Sequence, residues 1–160
     1  MNLWTQYSCE NYSDKNTNIR TGLRLRIDKN VDCEVRESIK KFAKWLRHCY
    51  KFPVRLPVYV KATEYIKTQD GDKVVGSFFE PYDLGTEPYI RIATGDYKEL
   101  KKSIGRDNAL ASIIYTLSHE ITHYYQWING LEMTVEEREQ QADFYGDYIL
   151  EQYAGCVDYP

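Results

Sequence analysis

The stretch from about Asp107 to Ile128 constrains this chain more than any other. It reads as one helix, because Leu110, Ile113, Ile114, Leu117 and Ile121 recur at helical spacing and no proline or glycine interrupts the run. Within it stands His119-Glu120-Ile121-Thr122-His123. Residues four apart lie one above the other on a helix, so both imidazoles can face a single metal ion. Glu120 then falls beside that ion without binding it, where a carboxylate can take a proton from water. Zinc suits imidazole and carboxylate ligands with one position left open.

The competing reading is a histidine pair that only packs. The chain has 3 histidines in all, so this spacing around a glutamate is hard to ascribe to composition. His119 and His123 also fall opposite the apolar stripe, in line with Ser112 and Thr116, whereas packing histidines would lie within it.

A third ligand is expected from the segment beyond the helix. Asn129-Gly130 is a helix stop. Thr134-Val135-Glu136-Glu137 has the pattern of a capping box, with Thr134 as N-cap, and opens a second helix from about Val135 to Tyr153. A short connection makes the two helices antiparallel neighbours. Counting ~1.5 Å of rise per residue down one helix and up the other brings Glu139 level with His123 and Asp143 near His119. Glu136, one turn earlier on a similar face, is the rival ligand, and Glu132, Glu137 and Asp147 are also near in sequence. The positive end of the helix dipole accounts for Glu136 and Glu137 without any metal, but less for Glu139 and not for Asp143. The remaining histidine, His48, lies far upstream in another helix.

His119-Glu120-Ile121-Thr122-His123 followed by Glu139-Gln140-Gln141-Ala142-Asp143 resembles the gluzincin pattern of zinc peptidases, H-E-x-x-H then E-x-x-x-D. Small SprT-like and ImmA/IrrE-like members are similar in size and layout. The resemblance covers His119 to Asp143 and weakens back to Val74. It implies zinc held by His119, His123 and Glu139, with Glu120 as general base and Asp143 orienting a histidine ligand through its other ring nitrogen. It also implies a rim strand, either Val74 to Phe79 or Tyr89 to Ala93, that pairs with extended substrate. Larger gluzincins add a His or Tyr donor for the oxyanion. No histidine follows His123 here, which leaves Tyr124, Tyr125, Tyr145, Tyr148 and Tyr153 as candidates.

The expected function is therefore zinc-dependent peptide-bond hydrolysis on a peptide or protein substrate. The alternative is a metal-binding regulatory module without significant turnover, against which an intact Glu120 argues.

The 160 residues fit one domain. With 21 basic and 24 acidic residues the formal net charge is -3, so no nucleic-acid partner is expected. No apolar run is long enough to span a bilayer, and the start Met1-Asn2-Leu3-Trp4 lacks the features of a signal peptide. Cys9, Cys33, Cys49 and Cys156 match no metal or redox spacing; they read as reduced, buried thiols of a cytoplasmic protein.

The polar residues 1 to 18 suggest a loose N-terminal arm, which could lie in the cleft and hold it latent. Leu23-Arg24-Leu25-Arg26-Ile27 alternates as a half-buried strand. Val31 to Tyr50 is an amphipathic helix with an apolar stripe of Val35, Ile39, Phe42, Leu46 and Cys49. Its other side, Lys40 to Lys51, is basic and reads as a solvated face. Val54 to Ala62 is a strand that Pro57 should confine to an edge or a bulge. Thr68 to Asp72 marks a hairpin turn, Val74 to Phe79 a strand in which Gly76 permits close approach, and Tyr89 to Ala93 another strand. A short helix, about Tyr97 to Ser103, precedes the long one. The expected architecture is α+β and zincin-like: a small mixed or antiparallel sheet packed on the histidine-bearing helix and a C-terminal helix.

Overall fold

In β1 (Leu23–Ile27) the leucines and the isoleucine point to the core side and Arg24 and Arg26 to solvent, as period-two alternation requires. α1 (Cys33–Cys49) follows, its N-cap Asp32 accepting the Glu34 N–H at 2.8 Å. Val35, Ile39, Phe42 and Leu46 are buried on one side of it. The chain is described by a computed structural model over residues 2–5, 20–83 and 85–158.

β2 (Leu56–Lys61), β3 (Ile66–Lys67), β4 (Lys73–Val74), β5 (Gly76–Phe79) and β6 (Tyr89–Ala93) complete the strands. Four of them form a mixed sheet in the order β1-β2-β6-β5. β1, β2 and β6 are parallel, and β5 runs antiparallel to β6 at an open edge. β3 and β4 make a separate hairpin whose turn places Gly71 at φ +84°.

Two strand expectations need correction. Pro57 lies in an interior strand. The Leu56 N–H donates toward β1, to Gly22 O at 2.9 Å, so the position of Pro57's missing N–H faces β6. Pairing with β6 begins only at Val58, so no ladder bond is lost. The run Val74 to Phe79 is not one strand. It changes partner at Val75, whose carbonyl accepts the Ala93 N–H at 2.8 Å, and divides into β4 and β5.

α2 (Tyr97–Ile104) leads through Gly105, at φ +88°, into α3 (Arg106–Ile128). The stripe Ile113, Ile114, Leu117 and Ile121 packs with Val58, Val60, Ile90 and Ile92 of the sheet and with α1 in one core. α3 ends in paired bonds from Gly130 N to Trp127 O and from Leu131 N to Gln126 O, both 3.1 Å, with Gly130 left-handed. α4 (Val135–Asp158) starts at the expected box: the Glu137 N–H donates to Thr134 Oγ1 at 3.1 Å, and the Thr134 N–H to Glu137 Oε1 at 3.4 Å. The sequence expectation of an α+β fold with a mixed sheet holds.

Where the arm is described, at residues 2–5, it is not loose. Leu3–Thr5 forms a 3-10 turn, and Trp4 is fully buried between the rings of Tyr50 and Tyr125, its Nε1 donating to Thr122 Oγ1 at 3.1 Å. The Leu3 N–H donates to Tyr145 Oη at 2.9 Å. Burial of an indole outweighs the polarity of its neighbours. Residues 6–19, with Cys9, lie outside the described residues. Cys33, Cys49 and Cys156 are free but exposed, against the expectation of burial; each sits in an end turn of its helix. Among the described residues no helix is long and apolar enough to cross a membrane.

Candidate metal centre

His119 and His123 stand one turn apart on α3 with ring centroids 5.0 Å apart. From α4, Glu139 reaches both: Oε2 lies 3.0 Å from His119 Nε2 and Oε1 3.2 Å from His123 Nε2. These three residues form the cluster able to hold a metal among the described residues, their donor atoms all within 4.8 Å of one another. The rival Glu136 is exposed in the first turn of α4 and is not part of it. Asp143, one turn beyond Glu139, places Oδ1 3.0 Å from His119 Nδ1. The structure thus brings His119, Glu120, His123, Glu139 and Asp143 together and leaves Glu136 out of the cluster.

Three contributors were not foreseen. Gln126 Oε1 lies 2.8 Å from His123 Nδ1. The Tyr115 hydroxyl donates to Asp143 Oδ1 at 3.0 Å, the oxygen that also faces His119. Gly146 makes room for that tyrosine, since a Cβ there would sit 2.7 Å from its ring. Gln126 follows His123 by three residues and Tyr115 precedes His119 by four, so helical spacing carried a signal for both. Burial, then the hydrogen bond to Asp143, pushes the Tyr115 phenol up to about 12 and keeps it a donor.

The donor set fits a metal cation. Each Nδ1 faces an oxygen acceptor, Asp143 or Gln126, and so carries the ring proton. With the proton on Nδ1, both Nε2 lone pairs turn toward the Glu139 carboxylate, and a metal cation would join the three acceptors. Burial chiefly holds the His123 imidazole below its ordinary pKa, with Gln126 and the Glu139 charge acting the other way.

Glu120 is 7% exposed, and burial, followed by the charge of Glu139, pushes its carboxyl up to about 8. It lies under β5, which can pass so close only because residue 76 is glycine. A Cβ there would be 2.8 Å from Thr116 Cγ2 and 3.1 Å from Glu120 Cγ. β5, not β6, is therefore the strand at the rim. Since Val75 pairs with Ala93, alternation leaves the N–H and C=O of Gly76 and Phe78 on the open edge.

Gly76, Phe78 and Glu80 on one side and Val135 and Arg138 on the other enclose, with the cluster, a cavity of about 410 Å³. A larger cavity, about 650 Å³, lies around Leu23, Arg47 and Phe52 and holds none of these groups, so size does not choose the site. None of the five tyrosines considered for an oxyanion borders the smaller cavity. Tyr124 and Tyr125 donate to the carbonyls of Val54 and Lys51, Tyr145 and Tyr148 accept from Leu3 and Gln152, and Tyr153 packs on Phe42 and Trp45. The cationic side chain that does border it is Arg138, whose Nη1 is 3.2 Å from Glu80 Oε2.

No protein-family model, no curated protein and no solved structure matches this chain.

Proposed function

We propose that the chain is a zinc-dependent peptidase of the gluzincin type that hydrolyses a peptide or protein substrate. The observation that carries this reading is the convergence of His119 Nε2, His123 Nε2 and the Glu139 carboxylate beside a buried Glu120 in a cleft with an open strand edge. Zinc held by His119, His123 and Glu139 would polarise a carbonyl and lower the pKa of water to about 7. Glu120 takes the proton of the attacking water and passes it to the leaving amine. The outward N–H and C=O groups of Gly76 and Phe78 hold an extended peptide across the site. Asp143 and Gln126 keep each Nε2 bare for the metal. The exposed free thiols favour a reducing compartment, the cytoplasm.

The test is zinc content by elemental analysis together with cleavage of a peptide library read by mass spectrometry. The expected result is about one zinc per chain, with cleavage by wild type and none by Glu120→Gln, which retains its zinc. Zinc without Glu120-dependent cleavage would make the chain a metal-binding regulatory module. A chain that takes up no zinc would overturn the reading.

A further inference from the structure

We propose that Gln126 is a positioning residue of this centre, holding His123 with its proton on Nδ1 and its Nε2 bare toward Glu139. The inference rests on the metal reading above. Gln126 is 2% exposed, so water cannot take the place of its partners. Its amide nitrogen donates to the main-chain carbonyl of Arg138 at 3.1 Å and to Gln141 Oε1 at 2.9 Å. A main-chain carbonyl can only accept, so the nitrogen must face Arg138 and the oxygen must face the imidazole. Arg138 Nε, 3.4 Å from Gln126 Oε1, adds a second donor on the oxygen side. Turning the amide over would set oxygen against carbonyl and N–H against the guanidinium. One orientation of Gln126 therefore remains, and it dictates one tautomer of His123.

The arrangement also ties two ligands together. Gln126 lies three residues after His123 on α3, and the residues that fix it, Arg138 and Gln141, flank Glu139 on α4. A displacement of α4 that moved Glu139 would turn Gln126, and with it His123. Arg138 carries the connection further, to Glu80 just past β5 at the cleft rim.

The test is zinc affinity of the purified full chain, by competition with a chromophoric chelator, with the visible spectrum of the cobalt(II) form as a second readout. Gln126→Leu keeps the volume and loses the acceptor. It is expected to weaken zinc binding by about 10–100-fold and to alter the cobalt spectrum. Gln126→Glu keeps an acceptor for His123 and is expected to bind zinc nearly as wild type does, with a lowered melting temperature because Arg138's carbonyl loses its donor. A residue that only filled space would give the reverse order, since leucine suits a buried slot and glutamate brings in a charge. If Gln126→Leu does not fold, Gln126→Met, a flexible apolar chain of similar length, is measured in its place against the same expectation. Wild type that binds zinc, with the folded Leu or Met variant binding equally well, overturns this proposal and leaves the metal reading standing. Wild type that binds no zinc overturns the metal reading first.

Discussion

The two histidines are held by opposite means. On the His119 side the Nδ1 partner is a carboxylate, Asp143, whose side chain is 62% exposed and which is steadied by Tyr115. On the His123 side the partner is a neutral amide, Gln126, with almost no access to solvent. The difference comes from burial. A carboxylate can sit beside a site already carrying Glu139 and Glu120 where water screens it. In the interior a further negative charge would be unscreened, and an amide gives the same acceptor without that charge. The exposed side can also be repaired by water, and the buried side cannot.

The predictions that press hardest on this comparison begin with the residue both sides share. Glu139→Ala is expected to abolish stoichiometric zinc binding, beyond the roughly 100-fold ceiling for outer partners, while Glu136→Ala leaves it unchanged. Elemental analysis after dialysis decides between them, and the reverse result would mean that α4 is rotated from the geometry described. Next, Asp143→Ala is expected to cost less zinc affinity than Gln126→Leu, near the lower end of a roughly 10–100-fold range, because water can bridge to His119 Nδ1. Chelator competition on both variants checks this, and equal losses would break the contrast between the two sides.

Gly146→Ala acts on the exposed side alone. Its methyl meets the Tyr115 ring at 2.7 Å, and a destabilisation of about 1–3 kcal/mol is expected, measured by denaturant unfolding. The smallest effect is that of Tyr115→Phe, which removes one hydrogen bond to Asp143. A loss of about 0.5–1.5 kcal/mol in stability is expected, with zinc affinity changed only a few-fold. An effect as large as that of Gln126→Leu would show that Asp143 is held by Tyr115 and not by solvent.

Much of the site was legible because it is local. Spacing of four places His119 and His123 on one face of a helix whatever surrounds it. A stop at Asn129-Gly130 and a box at Thr134-Glu137 fix where the next helix turns back, and that short return sets Glu139 and Asp143 opposite the histidines. Gly76, noted in sequence as a point of close approach, approaches Glu120 itself. The same kind of reasoning passed over Gln126 and Tyr115. Helical spacing says which residues share a face, but not which of them finds a hydrogen-bond partner on another element.

What the sequence alone determined, then, is the pair of helices and the register in which one presents imidazoles and the other carboxylates, since each rests on contacts within a few residues. Only the tertiary structure decided that Pro57 could enter an interior strand, that Val74 to Phe79 would split and leave β5 at the rim, and that Trp4 would dock against Thr122, 118 residues away. It likewise decided that Gln126, rather than a charge, would stand behind His123. Those outcomes depend on which distant backbone and side-chain groups meet and on how much water is left between them. Neither quantity is encoded in the spacing of residues along the chain.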